Sequence, residues 1–112
     1  MREVRFQELS RPRQVLIRLC QRVNYGSILN LPVRGGEVCL DHIPDVSVDV
    51  RLDGDIGLRQ ELDLADFDLP IESRRLLCQL DSLQDGLIEK IVVQDGTPRR
   101  VVLRGMGTEA LS

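Results

Sequence analysis

The side chains able to do chemistry in this 112-residue chain are few and scattered. The single histidine, His42, stands beside Asp41 with no Ser or Cys signature to complete a nucleophile–His–acid constellation. A strand-end or loop role suits it better. Cys20, Cys39 and Cys78 are 19 and 39 residues apart, with no C-x-x-C pair, so they offer no zinc spacing and read as buried small hydrophobes. In the acidic middle, Asp49, Asp53, Gly54 and Ile56 match positions 1, 5, 6 and 8 of a calcium loop. Arg51 at position 3 and Gln60 at position 12 stand where oxygen ligands are required, so the acids read instead as the solvated face of a sheet. Neither G-x-x-x-x-G-K-[ST] nor G-x-G-x-x-G is present. The expectation is a chain that is not an enzyme, with no catalytic residues, no metal site and no cofactor.

Arginine is the one residue type that is concentrated. Fourteen of the fifteen basic residues are Arg and one is Lys90. Residues 1–34 carry seven Arg against two acids, +5; residues 35–72 carry eleven acids against two Arg, −9; residues 73–112 carry six bases and five acids, +1, which leaves the net −3. Arg11, Arg18 and Arg22, spaced by seven and four, share one helix face opposite the apolar stripe, and Arg2, Arg5 and Arg13 add to the local field. Such a face suits nucleic acid or another anionic partner, or else pairs with the acids of 41–72. Three aromatics (Phe6, Tyr25, Phe67) are too few for a single-strand stacking platform. The pattern also lacks the third helix of a helix-turn-helix domain.

The elements that position these residues come from a repeat. A shift of 60 aligns Leu16–Gly36 with Leu76–Gly96 without a gap. Leu16/Leu76, Gly26/Gly86, Ile28/Ile88, Val33/Val93 and Gly36/Gly96 are identical, and Ile17/Leu77, Cys20/Leu80, Val23/Leu83 and Leu31/Ile91 stay apolar. Each copy reads as helix, turn, strand, tight turn, strand. Val15, Leu16, Leu19, Cys20 and Val23 form the first stripe at helical spacing, with Ser10 as the cap and Pro12 in the first turn. Leu76, Leu77, Leu80 and Leu83 form the second, with Asp68 and Pro70 ahead of it and Glu72 in its first turn. Gly26 and Gly86 are expected to stop the helices with positive φ.

Strands Ser27–Arg34 and Leu87–Gln94 follow, and Gly35-Gly36 and Asp95-Gly96 are two-residue hairpin loops. The return strands are Glu37–His42 and about Pro98–Arg104, and Pro32 marks its strand as an edge or a bulge. Between the copies, Val46, Val48, Val50 and Leu52 alternate with polar residues as a half-buried strand, and another strand is expected near 59–64. The order is α-β-β-β-β-α-β-β, with a short strand near Val4–Phe6.

Asn24, Tyr25, Gly26, Ser27, Ile28, Leu31, Val33, Gly36 and Glu37 resemble a motif of small bacterial proteins, in which a helix ends in Asn-aromatic-Gly ahead of a strand and a Gly-Glu hairpin. The unit is similar to the YezD-like domains. The resemblance covers about 25 residues per copy, and the second copy replaces Asn-Tyr with Gln84-Asp85. It implies a fold and no activity.

The expected class is α+β: an internal duplication of a helix-plus-β-hairpin unit, with a mostly antiparallel sheet and two helices on one face. Residues 1–112 form one domain, with repeat one at about 11–42, acidic strands at 45–64, repeat two at about 70–104 and a tail at 105–112. The opening MREVRFQELSRPR has no apolar leader core and no run approaches a membrane span, so a cytoplasmic chain without a membrane partner is expected. The functional expectation is a self-associating interaction or regulatory module, a homo-oligomer or the binder of a protein partner. The alternative is a nucleic-acid-binding regulator using Arg2, Arg5, Arg11, Arg18 and Arg22, with Gly26, Gly36, Gly86 and Gly96 as structural turn glycines.

Overall fold

A computed structural model of the chain describes residues 5–41, 44–53 and 66–105. Arg2, His42, the strand expected near 59–64 and all of the expected tail except Gly105 lie outside the described residues. Of the short strand expected at Val4–Phe6, Val4 lies outside the described residues, Arg5 forms an isolated antiparallel bridge with Asp68, and Phe6 opens a 3₁₀ turn, Phe6–Glu8. Helix α1 is Arg11–Val23 and helix α2 is Ile71–Leu83, each 13 residues. Strands β1 (Gly26–Arg34), β2 (Glu37–Val38), β3 (Asp45–Val48), β4 (Gly86–Gln94) and β5 (Thr97–Gly105) form one five-stranded antiparallel sheet. Both helices bury their apolar stripes in one cluster with Ile28, Leu31, Val33, Ile88, Ile91 and Val93, so they cover the same sheet face. The protein is therefore α+β, with a helical layer on one side of the sheet.

The central pairing joins β1 to β4. Ile28 lies opposite Ile91 and Leu31 opposite Ile88, which places the apolar positions of the two strands in one buried patch. In each strand the buried positions are spaced three apart and then two (28, 31, 33 and 88, 91, 93). The three-residue step between the first pair is taken up by Asn30 with φ +57° in β1 and by a register shift after Ile88 in β4.

The two helix ends are tied crosswise to the two hairpins. The Gly36 N–H donates to the Gln84 carbonyl and the Gly96 N–H donates to the Asn24 carbonyl, both at 2.9 Å. Gly35-Gly36 and Asp95-Gly96 have positive φ throughout, as a two-residue hairpin turn that matches strand twist requires. Each helix thus ends where the opposite hairpin turns.

Local chemistry departs from the expectations at several points. Asn24 and Gln84, not the following glycines, end the helices with φ +63° and +61°. Each is the centre of a tight turn closed by a 2.7 Å bond, Tyr25 N–H to Val23 O and Asp85 N–H to Leu83 O. Gly26 has φ +155°, whereas Gly86 has no positive φ. Close approach is what both share. A Cβ at Gly26 would lie 1.9 Å from the Ser47 carbonyl oxygen, and one at Gly86 would lie 2.5 Å from that of Arg104. Ser10 holds the cap position by backbone alone, because its hydroxyl donates to Glu37 instead of accepting from a helix N–H.

Pro32 is also not on an edge, since β1 is flanked by β4 on one side and by β2 and β3 on the other. The Pro32 carbonyl accepts from Cys39 N–H at 2.8 Å. In an antiparallel strand a residue's N–H and C=O face the same neighbour, so the donor Pro32 lacks is missing on the β2 side. There β2 stops after Val38, and the chain leaves the sheet before returning as β3.

Candidate functional site: an arginine-rimmed groove and two open edges

Helix α1 presents Arg11, Val15, Arg18 and Arg22 along one line. They border a shallow groove of about 450 Å³ that also takes in Gln14, Leu19 and Phe6. The arginines therefore do not sit opposite the whole apolar stripe: Val15 and Leu19 are half-buried beside them, while Leu16, Cys20 and Val23 face the core. At one end Phe6 stacks on Phe67 with centroids 4.9 Å apart, and the Arg18 guanidinium lies 4.3 Å from the Phe6 centroid. Arg18 also donates to Gln21 Oε1 at 3.1 Å. Gln14 Nε2 holds the Phe6 turn in place through the Phe6 and Leu9 carbonyls, at 3.3 and 3.2 Å.

The expected arginine set divides. Arg5 pairs with Asp66 at 2.7 Å and with Asp68 at 3.0 Å, and these bonds raise its pKa. The Asp66 carboxyl is held below the usual carboxylate range, first by the Gln7 N–H and then by Arg5. Arg13 turns inward. Its side chain is 7% exposed and donates to Glu37 at 2.9 Å, to the Gly36 carbonyl at 3.1 Å and to Asp81. It fastens α1 to the first hairpin turn and to α2. Arg11 and Arg22 are exposed, with no carboxylate at ion-pair distance among the described residues. The groove thus presents two open cations, about 16 Å apart along the helix at 1.5 Å per residue.

Only Cys20 of the three thiols is buried. Loss of solvation pushes its pKa up to about 12. Cys39 is half-buried and Cys78 exposed, against the expectation of three buried side chains, and none is in a disulfide. Among the described residues no cluster of His, Cys, Asp and Glu could hold a metal, and no helix is long and apolar enough to cross a membrane.

The sheet carries a second surface. β3 forms only the first part of the expected strand, ending at Val48, and without the half-burial that the alternation predicts. Val46, Val48 and Val50 are 39%, 51% and 56% exposed. Among the described residues β3 pairs only with β1 and β5 only with β4, so both have an open outer edge. Sequence reasoning overlooked the β5 edge, with Arg100 and Arg104 flanking Val101, Val102 and Leu103. The apolar run bracketed by arginines in RRVVLR carried that signal, but its meaning depends on knowing that β5 is terminal.

The fold and surface define a two-layer α+β protein with a cationic groove on one helix and, among the described residues, open strands at both ends of its sheet. No protein-family model, curated protein or solved structure gives a significant match to the chain.

Proposed function

We propose that this chain is a non-enzymatic interaction module that associates with itself, built by internal duplication of one helix-plus-hairpin unit and working in the cytoplasm. The duplication is supported by the 60-residue offset that relates α1 to α2, β1 to β4, the positive-φ residues Asn24 and Gln84, and the crossed bonds of Gly36 and Gly96. On this account each unit is one copy of a YezD-like module. Antiparallel pairing of equivalent strands, as β1 with β4, is what a twofold relation between the copies requires.

The observation that carries self-association is the exposed pair Val46 and Val48 on a strand whose outer edge is open among the described residues, with Val50 exposed just beyond it. Such an edge is a template for pairing with another chain. Sedimentation velocity on the full chain over a concentration series tests this. A weight-average mass that rises with concentration supports it, and a monomer at every concentration refutes it.

A second reading is favoured by one observation, the open Arg11 and Arg22 in the groove. If nucleic acid binds there, log affinity should fall with log salt at a slope of about −2 for two phosphates. Arg11→Glu with Arg22→Glu should abolish that binding. Equal binding by wild type and variant would exclude the groove.

A further inference from the structure

We infer that β5 of one copy adds to β3 of a second copy, antiparallel, with Asp45 opposite Arg104 and Asp49 opposite Arg100 of the next copy. The inference rests on the self-association proposed above and assigns the surface responsible for it.

Three independent constraints select this pairing. The first is backbone direction. Asp49 N–H donates to Tyr25 O, so Asp49, Ser47 and Asp45 face β1, while the N–H and C=O of Val46 and Val48 face outward. Within β1, Ser27 and Leu29 face β3, so Gly26 and Ile28 face β4, where they meet Val93 and Ile91. Lys90 and Val92 then face β5, where they meet Val102 and Arg100. Val101 and Leu103 are left with their backbone groups facing outward. The pairing places Val46 opposite Leu103 and Val48 opposite Val101, outward groups against outward groups.

The second constraint is the sheet face. Val46 lies opposite Ile28 and Val101 opposite Ile91, so Val46, Val48, Val101 and Leu103 all point to the helix-covered side. Strand directions alternate from β3 through β1 and β4 to β5, so a shifted copy with its helices on the same side continues the antiparallel sheet. The incoming Val48 meets Val101 beside a hollow of about 150 Å³ that has Leu76, Pro98 and Val101 in its wall.

The third constraint is charge. Pairing two β3 edges about Ser47 would set Asp45 against Asp49 twice. Pairing two β5 edges about Val102 would set Arg100 against Arg104 twice. Like charges directly opposite disfavour both, whereas β3 with β5 places two acids on two arginines. Sliding the register by two residues, which keeps faces and hydrogen bonds, loses both of those pairs. Arg100 has no ion pair among the described residues. Arg104 donates its Nε to Glu89, and its guanidinium has further N–H donors to offer. Because the two surfaces differ, the contact is heterologous and assembly need not stop at two copies.

The test compares full-length wild type, Asp45→Arg with Asp49→Arg, Arg100→Asp with Arg104→Asp, and an equimolar mixture of the two double variants, by sedimentation velocity. Each double variant turns two opposite-charge pairs into two like-charge pairs, so alone each should associate at least about ten-fold more weakly than wild type. The mixture should associate again, because it restores acid against arginine across the contact. Val48→Pro removes an outward N–H while leaving the ladder to β1 whole, and should weaken association in the same way without any change of charge. If wild type associates and all three variants match it, the edges are not the contact and self-association resides elsewhere. If wild type stays monomeric throughout, both this inference and the self-association reading fall.

Discussion

The first helix-and-hairpin unit and the second place the same elements at a 60-residue offset, yet their outer strands differ. In the second unit β5 runs nine residues without leaving the sheet, while in the first the same position is divided between the two residues of β2 and the four of β3. The point of difference is Pro32, whose counterpart is Val92. Val92 has an N–H and lies opposite Arg100, whereas Pro32 has none to give where β2 ends. A single missing donor thus coincides with the loss of a continuous outer strand, and with the loop that carries Cys39 and Asp41 out of the sheet.

The interiors differ as well. Where the first unit has the buried Arg13 with Glu37 and Asp81, the second has buried Ser73 with Thr97 at the position of Glu37. The first unit's ion cluster is buried at Arg13 and reaches across to α2, whereas the second unit's helix-to-strand ion pair, Arg99 with Glu72, lies nearer the surface. The comparison teaches that the units share a backbone plan and divide the labour: the first supplies an acidic, interrupted edge and the second a basic, continuous one.

The largest effect should come from the ion cluster. Glu37→Gln with Asp81→Asn strands a buried guanidinium and should cost about 3 kcal/mol in denaturant unfolding, whereas Arg13→Met should cost about 1 kcal/mol because the carboxylates it leaves are partly exposed. A larger loss from Arg13→Met would contradict that assignment. The glycine pair should break the units differently. Gly86→Ala drives a Cβ into the Arg104 carbonyl and within 2.9 Å of Leu83 Cδ1, beneath α2, and should cost about 2 kcal/mol. Gly26→Ala makes the closer contact, against the backbone of β3, and its φ of +155° strains a side chain even if β3 moves away. Its cost should be at least that of Gly86→Ala, about 2 kcal/mol, with amide protection lost first at residues 45–48.

Pro32→Val should leave global stability nearly unchanged, since a gained hydrogen bond of about 1 kcal/mol is offset by a freer unfolded chain. It should still raise exchange protection beyond Val38, and no change there would remove proline as the reason β2 stops. The smallest effect concerns Asp66. Its carboxyl is depressed in the folded state, so its contribution is present above the ordinary carboxylate value and is lost as pH falls through the folded one. Arg5→Ala should raise the Asp66 titration midpoint seen by NMR part of the way back to the ordinary value, because the Gln7 N–H remains.

Much of the backbone was legible because its signals are local. The strands expected at 27–34 and 87–94 begin one residue earlier, and both tight turns fall on the Gly-Gly and Asp-Gly pairs. Helical spacing located Leu16, Cys20, Leu76 and Leu80, all buried. What was hidden depended on neighbours distant in sequence. Gly26 and Gly86 are needed because a strand more than 15 residues away passes close by, which no window around the glycine can reveal. Arg13 looked like one more member of a solvated arginine face, and only the meeting of the Gly36 turn with Asp81 makes it a buried fastener. Val46 and Val48 alternate as half-buried residues do and share the helix side of the sheet with Ile28, yet both remain exposed at its edge. The matching charges of β3 and β5 carry meaning only once strand order puts both at edges.

Residue-resolved hydrogen exchange at low and high protein concentration tests edge-to-edge association most directly. The amides of Val46, Val48, Val101 and Leu103 face outward, while that of Asp49 donates to Tyr25 within the chain. Protection of the four outward amides should rise with concentration while Asp49 stays constant. Outward amides that exchange at the same rate at every concentration would contradict the account.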